Sequence, residues 1–243
     1  MDIGITIPCF NSYRFLGETL ASLRELKKAG CKINAVDSGS VDGTLELLKE
    51  YEIDTYFCPP GNMYKAVNIG LSHLNCEWLT YINSDDLLHA QNILEFLELN
   101  REALIDYDLF CGSIQHIDAN GSEICCRRLF DTKLIELAVL NGQPILPQPG
   151  TFFRNRIYKE LSGFDTHLKF SSDFDFFIRA FNENFNLLLV PDFQFASFRV
   201  HNDQFSNTQK AKLADETVKI IKKNNIKFKP FLYLYLRLLL FIK

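Results

Sequence analysis

Apolar residues along the first half of the chain alternate between short runs and helical stripes. Ile3-Gly4-Ile5-Thr6-Ile7 is a run of the kind a buried strand makes, and Phe15, Leu16, Leu20, Leu23 and Leu26 then recur at helical spacing. The unit repeats: Ile33 to Val36 predicts a strand, Ser38-Gly39-Ser40 a turn and cap, and Thr44 to Tyr51 a helix carrying Leu45, Leu47 and Leu48. Thr55 to Cys58 (strand), Ala66 to Leu74 (helix) and Trp78 to Asn83 (strand) extend the alternation. Strands alternating with helices imply right-handed crossovers and a parallel sheet.

Beyond Asp86 the pattern is mixed. Ile93 to Asn100 predicts a helix and Leu109 to Cys111 a strand, and Asn120-Gly121 is then a hairpin signal between two strand-like runs. Thr132 to Leu140 and Phe174 to Phe181 predict helices; Thr151 to Phe153, Leu187 to Val190 and Phe195 to Val200 predict extended segments. The expected fold class is α/β, one domain over residues 1–205 with a mostly parallel central sheet and flanking helices. Residues 1–112 would form a nucleotide-binding half and 113–205 a mixed second half.

Composition agrees with a globular chain: 243 residues, 47% hydrophobic and 23% charged. The 22 Phe residues invite a reading as ligand-stacking rings. Phe174, Phe177 and Phe181 nonetheless sit at helical spacing, which favours packing in a core. Seven Cys at irregular spacings, with no Cys-x-x-Cys, point to reduced thiols. No basic segment followed by an apolar run opens the sequence, so a cytoplasmic location is expected.

The net charge of −4 hides an asymmetry: residues 210–243 carry +7 and the rest −11. An acidic body argues against nucleic acid as partner. The basic segment 206–243 is expected to be a helical tail. Its apolar stretch from Phe231, interrupted by Arg237, is too short to span a bilayer. Two readings stay open: an interfacial anchor over 228–243 at the inner face of the membrane, or a helix docked on the core or on a partner subunit.

In an open parallel sheet, ligands bind beyond the carboxyl ends of the strands. There the sequence puts Pro8-Cys9-Phe10-Asn11, Asp37-Ser38-Gly39-Ser40-Val41-Asp42-Gly43 and Asn83-Ser84-Asp85-Asp86. Adjacent carboxylates repel and are costly to desolvate unless a cation neutralises them, and oxygen ligands suit Mg²⁺ or Mn²⁺. The plainer alternative for Asp85-Asp86 is a helix cap with a first-turn acid. Neither Gly-x-Gly-x-x-Gly nor a Walker-type loop is present, which weakens dinucleotide and P-loop readings.

The order of four blocks resembles the family-2 glycosyltransferases of GT-A fold: Ile5 to Asn11, Val36 to Thr44, Gly61 to Gly70, and Ile82 to Asp86. The resemblance covers most of residues 3–200. It implies an inverting transfer of a sugar from a nucleotide diphosphate, with UDP favoured, onto a saccharide or lipid-linked saccharide acceptor. It also implies the sites. Pro8, Asn11, Asp37, Tyr64, Ala66, Asn68 and Asp85 would line the nucleotide site, with Asp42 supporting the loop. Asp86, with His201 of Arg199-Val200-His201, would hold Mn²⁺ or Mg²⁺; Asn83 stands where many members have an Asp.

Asp173 in Ser172-Asp173-Phe174-Asp175 matches the catalytic base, which must take the acceptor's proton while the metal stabilises the leaving diphosphate. Ser172, where the family usually has Glu, and Gln148 would face the acceptor. The chemistry leaves two other functions open, a nucleotidyltransferase acting on a sugar phosphate and a non-catalytic nucleotide-sugar-binding protein of the same fold. The first normally needs a Gly-rich, basic triphosphate loop after strand one, which Pro8 to Asn11 is not.

Overall fold

The computed structural model describes residues 2–127, 131–202, 204 and 208–226. Among them one sheet runs through the molecule, in the order β3-β2-β1-β4-β8-β6-β9-β5, with β7 paired to β6. The strands are β1 (Ile3–Cys9), β2 (Lys32–Asp37), β3 (Asp54–Phe57), β4 (Trp78–Tyr81), β5 (Leu87–Leu88), β6 (Leu109–Ile117), β7 (Glu123–Arg127), β8 (Thr151–Arg154) and β9 (Leu187–Arg199). β3, β2, β1 and β4 are parallel neighbours, as the repeating strand–helix pattern requires. β8 then enters antiparallel between β4 and β6, so the second half is mixed.

Helices cover both faces of the sheet. α1 (Tyr13–Ser22), α2 (Arg24–Lys28), α3 (Thr44–Glu50) and α5 (Ala90–Leu99) enclose one core, where Leu16, Leu20, Leu26, Leu48 and Phe96 meet Ile3, Ile5 and Ile7. α4 (Met63–Ser72), α6 (Thr132–Leu140), α7 (Asn155–Glu160) and α8 (Ser172–Asn182) enclose the other, which holds Val67, Leu71, Ile157 and Phe176. Successive strand residues point to opposite faces, so Phe152 joins the first core and Phe153 the second. Phe110 and Phe152 stack at 4.8 Å. Phe174, Phe177 and Phe181 are buried, so these rings are core.

One expectation changes. Leu187 to Val190 and Phe195 to Val200 belong to one strand, β9. Its pairing with β6 jumps from Gly112↔Val190 to Ser113↔Gln194, and the bulge leaves Pro191, which has no N–H to donate, outside the ladder. Of the two readings of the tail, docking on the core fits its described part. Helix α9 (Lys210–Lys223) is docked on the domain: Ile220 is fully buried in the second core, and Lys223 bridges Asp165 (2.8 Å) and Asp175 (3.1 Å). The anchor expected over 228–243 lies outside the described residues. Among those described, no helix is long and apolar enough to cross a membrane.

Candidate active site

Three loops leave the carboxyl edge of the sheet and are stitched to one another. The Asn11 amide donates to Ser40 Oγ (2.8 Å), and the Val41 amide to Asn11 Oδ1 (3.0 Å). Ser12 N donates to Thr44 Oγ1 (2.8 Å), and Ser84 Oγ to Ser12 Oγ (2.7 Å). Asn11 reaches this position with φ 49°, a left-handed conformation that Asn tolerates better than most residues. Gly43, at φ 98° and packed under the Tyr13 ring, opens α3 where a side chain would be strained.

Asp37 anchors its own loop. Oδ2 accepts from the amides of Gly39 (2.8 Å) and Ser40 (2.9 Å), and Oδ1 from the Ser40 hydroxyl, which leaves acceptor capacity on Oδ1. Asp42 is a strut: it accepts from the amides of Tyr13 and Thr44 and from the Thr44 hydroxyl. Burial would raise its carboxyl, but these hydrogen bonds outweigh burial and hold it below the ordinary range.

Pro8 is buried within β1, so it shapes the strand end and offers no surface. Its missing N–H costs nothing on the β4 side, where pairing has ended at Thr6↔Tyr81. Phe10, two residues on, is 54% exposed and presents its ring on the stitched loop.

The acidic doublet divides its labour, opposite to the sequence expectation. Asp86 is fully buried; Oδ1 accepts from the Arg199 amide (2.8 Å) and Oδ2 from Asn83 Nδ2 (3.1 Å). Burial, with the Asp85 charge beside it, pushes the Asp86 carboxyl well above the usual range. Asp85 is the half-exposed member, and its Oδ2 lies 2.9 Å from His201 Nε2. His201 also lines a cavity of about 390 Å³ shared with Arg14, Asp118, Asn120 and Asn202. Asp85 and His201 are therefore partly accessible, whereas Asp86 is not.

Arg199 fixes this arrangement. Its guanidinium is fully buried and donates to the carbonyls of Asp85 (2.9 Å), Asp118 (3.3 Å) and Ala119 (3.4 Å) and to Glu18 Oε2 (2.7 Å). It also lies 4.7 Å from the centre of the Phe15 ring. The backbone amide of Arg199 holds the Asp86 carboxylate, so a single residue of β9 fixes Asp86 and the backbone of Asp85.

Asp173 stands in the first turn of α8, half-buried, and accepts a hydrogen bond from Tyr64 Oη at 3.0 Å. Burial raises its carboxyl, against the opposing pull of the Phe174 amide and the Tyr64 hydroxyl. Tyr81, at the end of β4, connects the two acidic regions: burial raises its own pKa, and the charges of Asp173 and Asp86 raise it further. Asp173 and Asp86 thus both lie near enough to Tyr81 for their charges to act on it.

The neighbours of Asp173 depart from expectation. Ser172 is fully buried, so it faces the core and not an acceptor. Gln148, also buried, donates to the Tyr81 carbonyl (2.6 Å) and ties the loop before β8 to the end of β4. Asn68 does not present its amide to a nucleotide: Oδ1 accepts from Phe164 N and Tyr158 Oη, both at 3.0 Å, and Nδ2 donates to Phe164 O. Ala66 is buried.

The residues fit a divalent cation in part. Asn83 Oδ1 is buried without a partner among the described residues, next to the doublet. Among those residues no three His, Cys, Asp or Glu side chains group as a metal site; the pair Asp85 and His201 would offer two donors. The remaining positions would fall to water and phosphate oxygens, as is usual for Mg²⁺ and Mn²⁺ at phosphates. The seven cysteines form no disulfide; five are buried, and Cys125 and Cys126 are exposed.

The fold is that of the GT-A glycosyltransferases. The crystal structure of S. aureus TarS in complex with UDP-GlcNAc superposes with a TM-score of 0.73 at 17% identity, over 98% of this chain and 73% of that one. Mannosyltransferase PcManGT from Pyrobaculum calidifontis, in complex with GDP-Man and Mn²⁺, gives 0.70 at 16% identity, over 98% and 69%. In sequence, residues 5–162 match the model of glycosyl transferase family 2, and the chain belongs to that family. An uncharacterized glycosyltransferase of Rickettsia typhi is 23% identical, over 85% of this chain and 66% of that protein. The poly(ribitol-phosphate) beta-glucosyltransferase of Bacillus spizizenii is 22% identical, over 80% of this chain and 32% of its own length.

Proposed function

We propose that the chain transfers a sugar from a nucleoside diphosphate sugar to an acceptor hydroxyl with inversion, using Asp173 as general base. One observation supports this reading: a chain of glycosyl transferase family 2 carries a hydrogen-bonded, half-buried carboxylate with a raised pKa, Asp173, and an Asp85–His201 pair at the end of the parallel strands.

The stitched loops receive the nucleoside. Phe10 offers an exposed ring to the base, and Asp37 Oδ1 retains a lone pair for a base or ribose N–H or O–H. Asp85 and His201 would hold a divalent ion, Mn²⁺ or Mg²⁺, which when bound offsets the charge of the leaving diphosphate. A nitrogen donor favours Mn²⁺ over Mg²⁺. Asp173 accepts the acceptor hydroxyl's proton at a carboxylate oxygen as that hydroxyl attacks the anomeric carbon. Its raised pKa makes it a better base than an ordinary Asp, and the Tyr64 hydrogen bond orients it. Asn68 and Gln148 act as struts that hold the walls of this pocket.

UDP is the favoured nucleotide, supported by the UDP-GlcNAc that TarS binds, and the acceptor is proposed to be a cell-surface polyol or polysaccharide, by analogy with the Bacillus relative. The test is turnover of a panel of UDP- and GDP-sugars with Mn²⁺ and simple saccharide acceptors. Metal-dependent release of nucleoside diphosphate should fall about 10²-fold or more in Asp173→Asn. Undiminished turnover in that variant would remove the base from the account, and inertness toward every donor would favour a binding protein.

A further inference from the structure

Asp173 is delivered to the site by the segment 165–171, and that segment is gripped from two sides. From α4, Asn62 caps its own helix through Oδ1 and donates Nδ2 to the carbonyls of Thr166 (2.7 Å) and Leu168 (3.1 Å). From α9, Glu216 takes the amides: Oε1 accepts from Lys169 (2.7 Å), and Oε2 from Phe170 (2.8 Å) and Ser171 (3.2 Å). These three N–H groups immediately precede α8, and Ser171 is its N-cap. Three backbone donors on one carboxylate make charge-assisted bonds, which also compensate the cost of burying Glu216.

Glu216, Ile220 and Lys223 share one stripe of α9: the first holds the amides, the second enters the core, and the third reaches Asp165 and Asp175. The helix therefore grips both flanks of the Asp173 segment with groups of opposite charge.

We propose that Glu216 is a positioning residue for Asp173, holding the entry to α8 through the amides of Lys169, Phe170 and Ser171 so that the candidate base stays against Tyr64. The inference rests on the base role proposed above. The charge acts in the same sense as the geometry, because Glu216 adds to the forces that raise the Asp173 carboxyl. A side chain outside the family-matched residues 5–162 would thus complete the site, which makes α9 part of the catalytic domain.

The test needs no substrate. In the full chain, Glu216→Gln replaces one acceptor oxygen with an NH2 group that would face an amide N–H. Amide exchange at 169–171 should accelerate about tenfold or more, and the Asp173 carboxyl, followed by carbon-detected NMR, should titrate lower than in the wild-type protein. Lys223→Gln is the control: it cuts the other tether of the same helix and should lower thermal stability without moving Asp173 downward. Should Glu216→Gln not fold, Glu216→Asp withdraws the charge by one methylene and is expected to show the same faster exchange. Unchanged exchange at 169–171, or an Asp173 titration that coincides with wild type, overturns the inference. Turnover of Asp173→Asn separates the two claims: if it stays high, the base role fails while the grip of Glu216 can still be measured.

Discussion

Tyr64 Oη donates to Asp173 Oδ1 at 3.0 Å, which joins the first helix of the Gly61 to Gly70 block to the helix that carries the candidate base, 109 residues later in the chain. The bond favours the charged carboxylate, so its removal should raise the Asp173 pKa further. Tyr64→Phe is therefore expected to move the acidic limb of the pH–rate profile to higher pH. It should also cost about 1.5–3 kcal/mol of stability at neutral pH. A pH–rate profile and a denaturant melt check both.

Asp173 should also be a stability liability. Its folded-state pKa lies above its unfolded value, so the stability it contributes is fully present below the ordinary carboxylate pKa and is lost as pH rises through the raised one. Asp173→Asn removes the charge while still accepting from Tyr64. The variant should melt higher than wild type at neutral pH, and the gap should close as pH falls into the ordinary carboxylate range. Melting temperatures across pH 3 to 8 test this directly.

The repeating strand–helix half and all three site loops are legible in sequence, because each depends on local rules: apolar periodicity, turn residues and polar groups at strand ends. That Asp37 and Asp85 share the carboxyl edge follows once β2, β1 and β4 are ordered. Which member of Asp85-Asp86 is buried is not legible, since it turns on the Arg199 amide and Asn83, which reach the doublet through tertiary contacts. Arg199 carried a signal, its place beside Val200-His201, but the burial of its guanidinium did not show. Glu216 carried none as a site residue. Net charge pointed to a basic tail, whereas the stripe of Glu216, Ile220 and Lys223 is what docks the helix.

Arg199 should tolerate no substitution well, lysine included. Lysine has three donors on a flexible stem and cannot serve the carbonyls of Asp85, Asp118 and Ala119 together with Glu18. Arg199→Lys is expected to destabilise the protein by about 3 kcal/mol or more, through buried acceptors left unmatched. Metal-dependent nucleotide binding should weaken with it, because the loop carrying Asp85 loses its hold. Chemical denaturation alongside titration calorimetry reads both effects.

Asp85 and His201, and not the buried Asp86, are proposed to receive the divalent ion with the nucleotide. Calorimetric titration of UDP in the presence and absence of Mn²⁺ tests it most directly, on wild type, Asp85→Asn, His201→Ala and Asp86→Asn, each shown to be folded. The account predicts that Mn²⁺ strengthens UDP binding in wild type and in Asp86→Asn, and that this gain falls by more than about tenfold in the other two variants. A gain that survives Asp85→Asn and His201→Ala but vanishes in Asp86→Asn would contradict it.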